Sequence, residues 1–107
     1  MAAVNMPADL GLVQRERLAF IDLRLFFLGS VSRGDVVNRF GVSPAVATRD
    51  LAHYRESAAN NIVFDGSAKL YRISDCFVPL FRHTLDRVFS ALSKGFGDGL
   101  GNTSMNV

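Results

Sequence analysis

The side chains in this sequence that are able to do chemistry are cations and small polar groups, and they do not form a catalytic set. Ser43, Pro44, Ala45, Thr48 and Arg49 follow a Gly41-Val42 pair. Small side chains let the start of a helix approach a base edge closely, and a guanidinium presents two parallel donors to guanine or to a phosphate. Ser32 and Arg33 stand at a second helix start, where free amides and the helix dipole favour a phosphate. Ser67 and Lys69, with Tyr71 or Arg72, surround a turn and suit the backbone or minor groove of a duplex. Other reactive residue types are scattered. His53 and His83 lie 30 residues apart with no cluster of partners, so no metal site is read. The single cysteine, Cys76, excludes an intrachain disulfide and has no Cys–His spacing for a nucleophile. Asp22, Asp35, Asp50 and Asp65 fall on separate predicted elements, which leaves general acid–base work without support. Gly95, Gly97, Gly99 and Gly101 form GxGxGxG in a tail, not the GxGxxG of a strand-to-helix phosphate cradle. The expectation is a chain with no catalytic residues, no metal and no cofactor.

These side chains need a scaffold, and the hydrophobic pattern supplies one. Residues 1–11 read as a flexible lead-in. A helical period begins at Leu12, with Gln14, Leu18, Ile21, Leu25 and Leu28 on one stripe and Arg15, Ala19 and Asp22 opposite. Phe20, Leu23 and Phe27 widen the apolar arc, and Phe26 faces the polar side. A helix so apolar is covered on more than one side, and a second subunit is one candidate cover. Gly29 stops it. Ser32 then caps a short helix through Val36, Val37 and Phe40, ended by Gly41, with Val42 buried in the turn. Ser43 caps a third helix with Pro44 at its first position; Ala47, Leu51 and Tyr54 point inward, Ala45, Arg49, Ala52 and Glu56 outward. The period then changes to two: residues 61–64 and 69–73 predict a hairpin around Asp65-Gly66-Ser67-Ala68. A last helix is predicted from Thr84 to Ser93. The fold class is mainly α with a small β-hairpin: a winged helix-turn-helix of three core helices, a wing and a C-terminal helix. Its expected boundaries are residues 12–81 for the DNA-binding domain, 82–94 for the C-terminal helix as a dimer contact, and 95–107 for a glycine-rich linker.

Composition fits one small domain. The chain has 107 residues, 49% of them hydrophobic and 21% charged, which is the balance of a folded protein rather than a disordered one. Its formal charge is +2, which permits nucleic-acid binding without demanding it. Between Arg33 and Arg72, six cations (residues 33, 39, 49, 55, 69 and 72) face four carboxylates (35, 50, 56 and 65), enough to neutralise ~3 to 5 phosphates per chain. No secretory pattern opens the sequence, and its longest apolar run, Leu25 to Leu28, is far short of a membrane span. The expected location is the cytoplasm.

The run from Arg17 to Phe81 resembles the N-terminal winged helix-turn-helix of bacterial WYL-domain transcriptional regulators, in particular the group associated with phage defence. RLAFIDLRL, the FGVS turn, the RDL of the third helix and the wing sequence NNIVFDGSAKLY carry the likeness. FGVSPAVATRDL is also similar to the DeoR-type pattern, with Thr48 where that pattern usually has a second arginine. The resemblance implies sequence-specific binding of double-stranded DNA by a homodimeric regulator, a repressor of its own or a neighbouring operon. In such regulators an effector-binding WYL domain follows; the expectation here is that the chain does not carry it.

Blander readings stand beside these. The helix-turn-helix is also a protein-docking unit in many proteins, and a small enzyme is a further, site-less alternative. Arg49 beside Asp50 is either a DNA contact or a solvated pair. Asp50 is read as orienting a neighbouring arginine, Tyr54 as core, Cys76 as a buried or half-buried thiol, and both histidines as helix-surface residues. The phenylalanines are read as core and subunit contact, with Phe20, Phe26, Phe27 and Phe89 assigned to a dimer interface.

Overall fold

Capping residues cut the first half of the chain into its helices. A computed structural model describes residues 11–95, so the expected lead-in and glycine-rich tail lie almost wholly outside the described residues. Helix α1, Leu12–Leu28, ends where Gly29 turns left-handed at φ 83° and donates its N–H to the Leu25 carbonyl at 3.0 Å. Helix α2, Arg33–Phe40, starts with a capping box: Ser32 Oγ accepts from Asp35 N at 3.1 Å, and Asp35 Oδ2 accepts from Ser32 N at 2.8 Å. Gly41, at φ 67°, ends it with an N–H donated to Val37. Helix α3, Pro44–Ser57, is capped by Ser43 Oγ, which accepts from Val46 N at 3.2 Å.

A short 3₁₀ turn, Ala59–Asn61, leads into strands β2, Ile62–Asp65, and β3, Leu70–Ile73. They pair antiparallel, with Val63 opposite Arg72 and Phe64 opposite Tyr71. A third strand joins them: β1, Ser30–Val31, pairs with β3 so that the order is β1-β3-β2. Two residues are too few for alternation to register, which is why the sequence yields only a hairpin. Helix α4, Leu85–Gly95, begins after Thr84, whose Oγ1 accepts from Arg87 N at 3.3 Å and whose carbonyl accepts from Val88 N at 2.9 Å. The architecture is a mainly helical winged helix.

The core forms around α1, buried from Leu18 to Leu23 and again at Leu25. Cover for this helix comes from the same chain, since α2, α3, α4 and the sheet all pack on it. Phe20 belongs to this core: it is 4% exposed and meets Phe40 edge-on at 5.4 Å, so it is not a surface residue available to a partner. Ala47, Leu51 and Tyr54 are buried as the inward stripe predicts.

Three polar residues depart from their expected places. Asp22, assigned to the open side of α1, is fully buried. Its carboxylate accepts from the Tyr54 hydroxyl, from Leu80 N at 3.0 Å and Phe81 N at 3.3 Å, and from His83 Nε2 at 2.8 Å. His83 is therefore a buried partner rather than a helix-surface residue, with 3% side-chain exposure. Asn61 extends the network, donating to the Tyr54 oxygen at 3.1 Å and to the Val78 carbonyl at 2.7 Å. Burial, and then the adjacent Asp22 charge, push the Tyr54 hydroxyl far above its ordinary range. Cys76 departs in the other direction and is exposed.

Candidate nucleic-acid interface

The start of α2, the flank of α3 at Thr48 and Leu51, and the wing enclose one groove. Ser32, Arg33 and Gly34 form its α2 side, Thr48 and Leu51 its α3 side, and Phe64, Lys69 and Tyr71 its wing side, around about 460 Å³ of open space. Arg33 Nη1 reaches to 3.5 Å from Thr48 Oγ1 across the α2–α3 corner. In an α-helix the first amides lack carbonyl partners; Ser32 Oγ takes that of Asp35, and Arg33 and Gly34, the first two residues of α2, line the groove.

The wing turn has its own organiser. Asp65 Oδ1 accepts from Ser67 N and Ala68 N, each at 3.1 Å, and its Oδ2 accepts from Arg72 Nε at 2.8 Å. The Ala68 amide, followed by the Arg72 guanidinium, holds the Asp65 carboxyl below its ordinary range. Lys69 closes the turn in the left-handed region at φ 59°, with its N–H donated to the Asp65 carbonyl at 2.8 Å.

Of the residues expected to touch DNA, the fold brings Ser32, Arg33, Thr48 and Lys69 to the groove. Ser43, Pro44, Ala45 and Arg49 are exposed on the leading face of α3, outside the groove lining. Ser67 is exposed at the wing tip. Arg72 stands by strand alternation on the sheet face opposite Tyr71, exposed and engaged by Asp65. The sequence reading did not assign Gly34, Leu51 or Phe64 to this site. Arg55, on α3, was likewise counted only as charge; its guanidinium stands 5.9 Å from the Tyr71 ring centroid. Phe64 shares a sheet face with Tyr71 because the two pair across β2 and β3.

Charge at this face is more one-sided than the composition suggests. Asp35 is occupied by the cap and lies 3.4 Å from Arg24 Nε. Asp50 is buried and bound by Arg17 from α1, the arginine that the sequence reading left unspecified. Asp65 holds Arg72. Among the described residues no ion pair engages Arg33, Arg49, Arg55 or Lys69, all of them exposed. Local carboxylates thus leave these four cations free to meet an anion. Among the described residues no group of three or more His, Cys, Asp or Glu side chains is placed to hold a metal, and no helix is long and apolar enough to cross a membrane.

Comparison with known proteins finds relatives of the same fold class that bind DNA. A family model described as the BrxR transcriptional regulator winged helix-turn-helix domain matches residues 13–94. The chain is similar to the DNA-binding transcriptional repressor CapW of Escherichia coli strain KTE188, 37% identical over 68 residues, which are 64% of this chain and 23% of that protein. CapW of Pseudomonas aeruginosa is 35% identical over the same shares, and CapW of Stenotrophomonas maltophilia is 34% identical over 66% of this chain and 24% of its own length. The chain thus spans about a quarter of the curated relatives it matches.

Proposed function

The chain belongs to the winged helix-turn-helix domain family of BrxR transcriptional regulators, and from that membership we propose that it is the DNA-reading unit of a transcriptional repressor. It binds duplex DNA with the start of α3 in the major groove. Ser43, Pro44, Ala45 and Thr48 keep that helix end slim, and Arg49 supplies the donors for a guanine edge or phosphate. Arg33, with the free amides of α2, and Lys69 on the wing grip the phosphate backbone on either side. Ser67 meets the backbone at the wing tip. Arg72 acts through Asp65, shaping the turn that carries Lys69. The observation that carries this reading is the charge arrangement: of the four carboxylates on these elements Asp35, Asp50 and Asp65 are engaged by arginines and Glu56 is exposed, while four cations, Arg33, Arg49, Arg55 and Lys69, stand exposed with no ion pair among the described residues.

A homodimer completes the proposal, since two half-sites roughly double the phosphates neutralised. Phe26 and Phe27 at the end of α1, each 47% exposed, and Phe89 on α4, 67% exposed, supply its apolar contact. Acting on chromosomal DNA places the protein in the cytoplasm. The test is fluorescence anisotropy on a labelled duplex from the chain's own upstream region, beside a scrambled duplex, at about 50 and 200 mM salt. Tighter binding to the upstream duplex, lost steeply as salt rises, is the expected result. Absence of binding to either duplex at low salt overturns the reading in favour of protein docking.

A further inference from the structure

The groove carries an aromatic wall that phosphate contacts leave unused. Phe64 is 48% exposed there. Its ring pairs across the strands with Tyr71, centroids 4.9 Å apart and planes tilted by 52°, and the residue remains half exposed. The same groove holds Arg33 on its α2 side and Lys69 on its wing side. A half-exposed phenyl ring that shares a groove with two cations free of ion pairs among the described residues is a poor match for water and a good match for a chain that alternates anionic and apolar units. A DNA strand is such a chain, because each phosphate is followed by a deoxyribose whose ring carbons are apolar.

We propose that Phe64, backed by Tyr71, packs against a deoxyribose of the bound duplex while Arg33 and Lys69 hold neighbouring phosphates. This rests on the DNA reading of the groove and adds a contact of different physics to it. Sugar packing removes apolar surface from water and releases no counterions, whereas a phosphate contact does both electrostatic work and counterion release. The two are separable by salt.

The experiment measures duplex affinity of the full chain against salt for Phe64→Ala, Phe64→Leu, Lys69→Ala and Val63→Ala. Val63 lies on the opposite face of the same strand and is 55% exposed, so its truncation controls for β2 itself. Phe64→Ala is expected to weaken binding roughly tenfold at every salt concentration with an unchanged log–log slope, a loss that Phe64→Leu largely restores. Lys69→Ala is expected to flatten the slope by about 0.9, and Val63→Ala to change neither quantity. Wild-type affinity in Phe64→Ala overturns the proposal. So does a loss accompanied by a flattened slope, which means that the wing has collapsed and taken Lys69 with it. If the unmodified chain itself shows no salt-dependent duplex binding, it is the DNA reading that fails, and the sugar contact fails with it.

Discussion

Asp22 and Tyr54 illustrate what single residues reveal and conceal. Tyr54 reads correctly from sequence as core, because it continues the Ala47–Leu51 stripe. Asp22 does not, since a carboxylate in a helical pattern is taken as solvent-facing and its partners lie 32 to 61 residues away. Once those partners are in place the pair has a definite pH signature. A hydroxyl whose folded pKa is raised stabilises the protein fully below its unfolded value near 10 and progressively less above it. Folding stability is therefore expected to fall as pH climbs past about 10, by more than in Tyr54→Phe, which has no hydroxyl to ionise. At pH 7 the same variant should lose about 1–3 kcal/mol, because the Asp22 carboxylate and the Asn61 amide are left a partner short. Urea unfolding of both proteins at neutral and alkaline pH checks the two effects; an equal alkaline loss in the variant contradicts the assignment.

The elements were more legible than their partners. Ser32, Gly41, Ser43 and Pro44 mark helix ends by mechanisms that act within four residues, so α2, the turn and α3 follow from sequence alone. β1 was not readable, being two residues long and defined by pairing with β3 some 40 residues on. The partner of Arg72 was not readable for a related reason, because which residues meet across β2 and β3 depends on register. The wing turn also holds a conflict between fold and ligand. Lys69 occupies a left-handed position that suits glycine and costs another residue about 1 kcal/mol. Lys69→Gly is expected to raise stability by about 1 kcal/mol in urea unfolding while weakening binding to every duplex alike and flattening its salt slope. Undiminished binding in that variant would make the lysine incidental to the wing.

At the scale of the whole molecule, a formal charge of +2 conceals a segregated surface. Asp50, Asp35 and Asp65 are spent on Arg17, Arg24 and Arg72, which leaves Glu56 as the one carboxylate of α2, α3 and the wing with no ion pair among the described residues, against four such exposed cations. Pair counting along the sequence misses this, since Arg17 and Asp50 are 33 residues apart. Three phenylalanines, Phe26, Phe27 and Phe89, stand outside a core that encloses Phe20. Light scattering at micromolar concentration should give about twice the 11.7 kDa chain mass, and the mass of one chain would remove the homodimer from the account. The most direct test of the central claim, that duplex DNA lies across the groove between α2, α3 and the wing, is the salt dependence of binding by Arg33→Ala/Lys69→Ala. The predicted result is a variant that melts like the parent, binds upstream and scrambled duplexes more weakly by the same factor, and has a log–log salt slope shallower by about 1.8. A folded variant that keeps the parent's slope would contradict that claim.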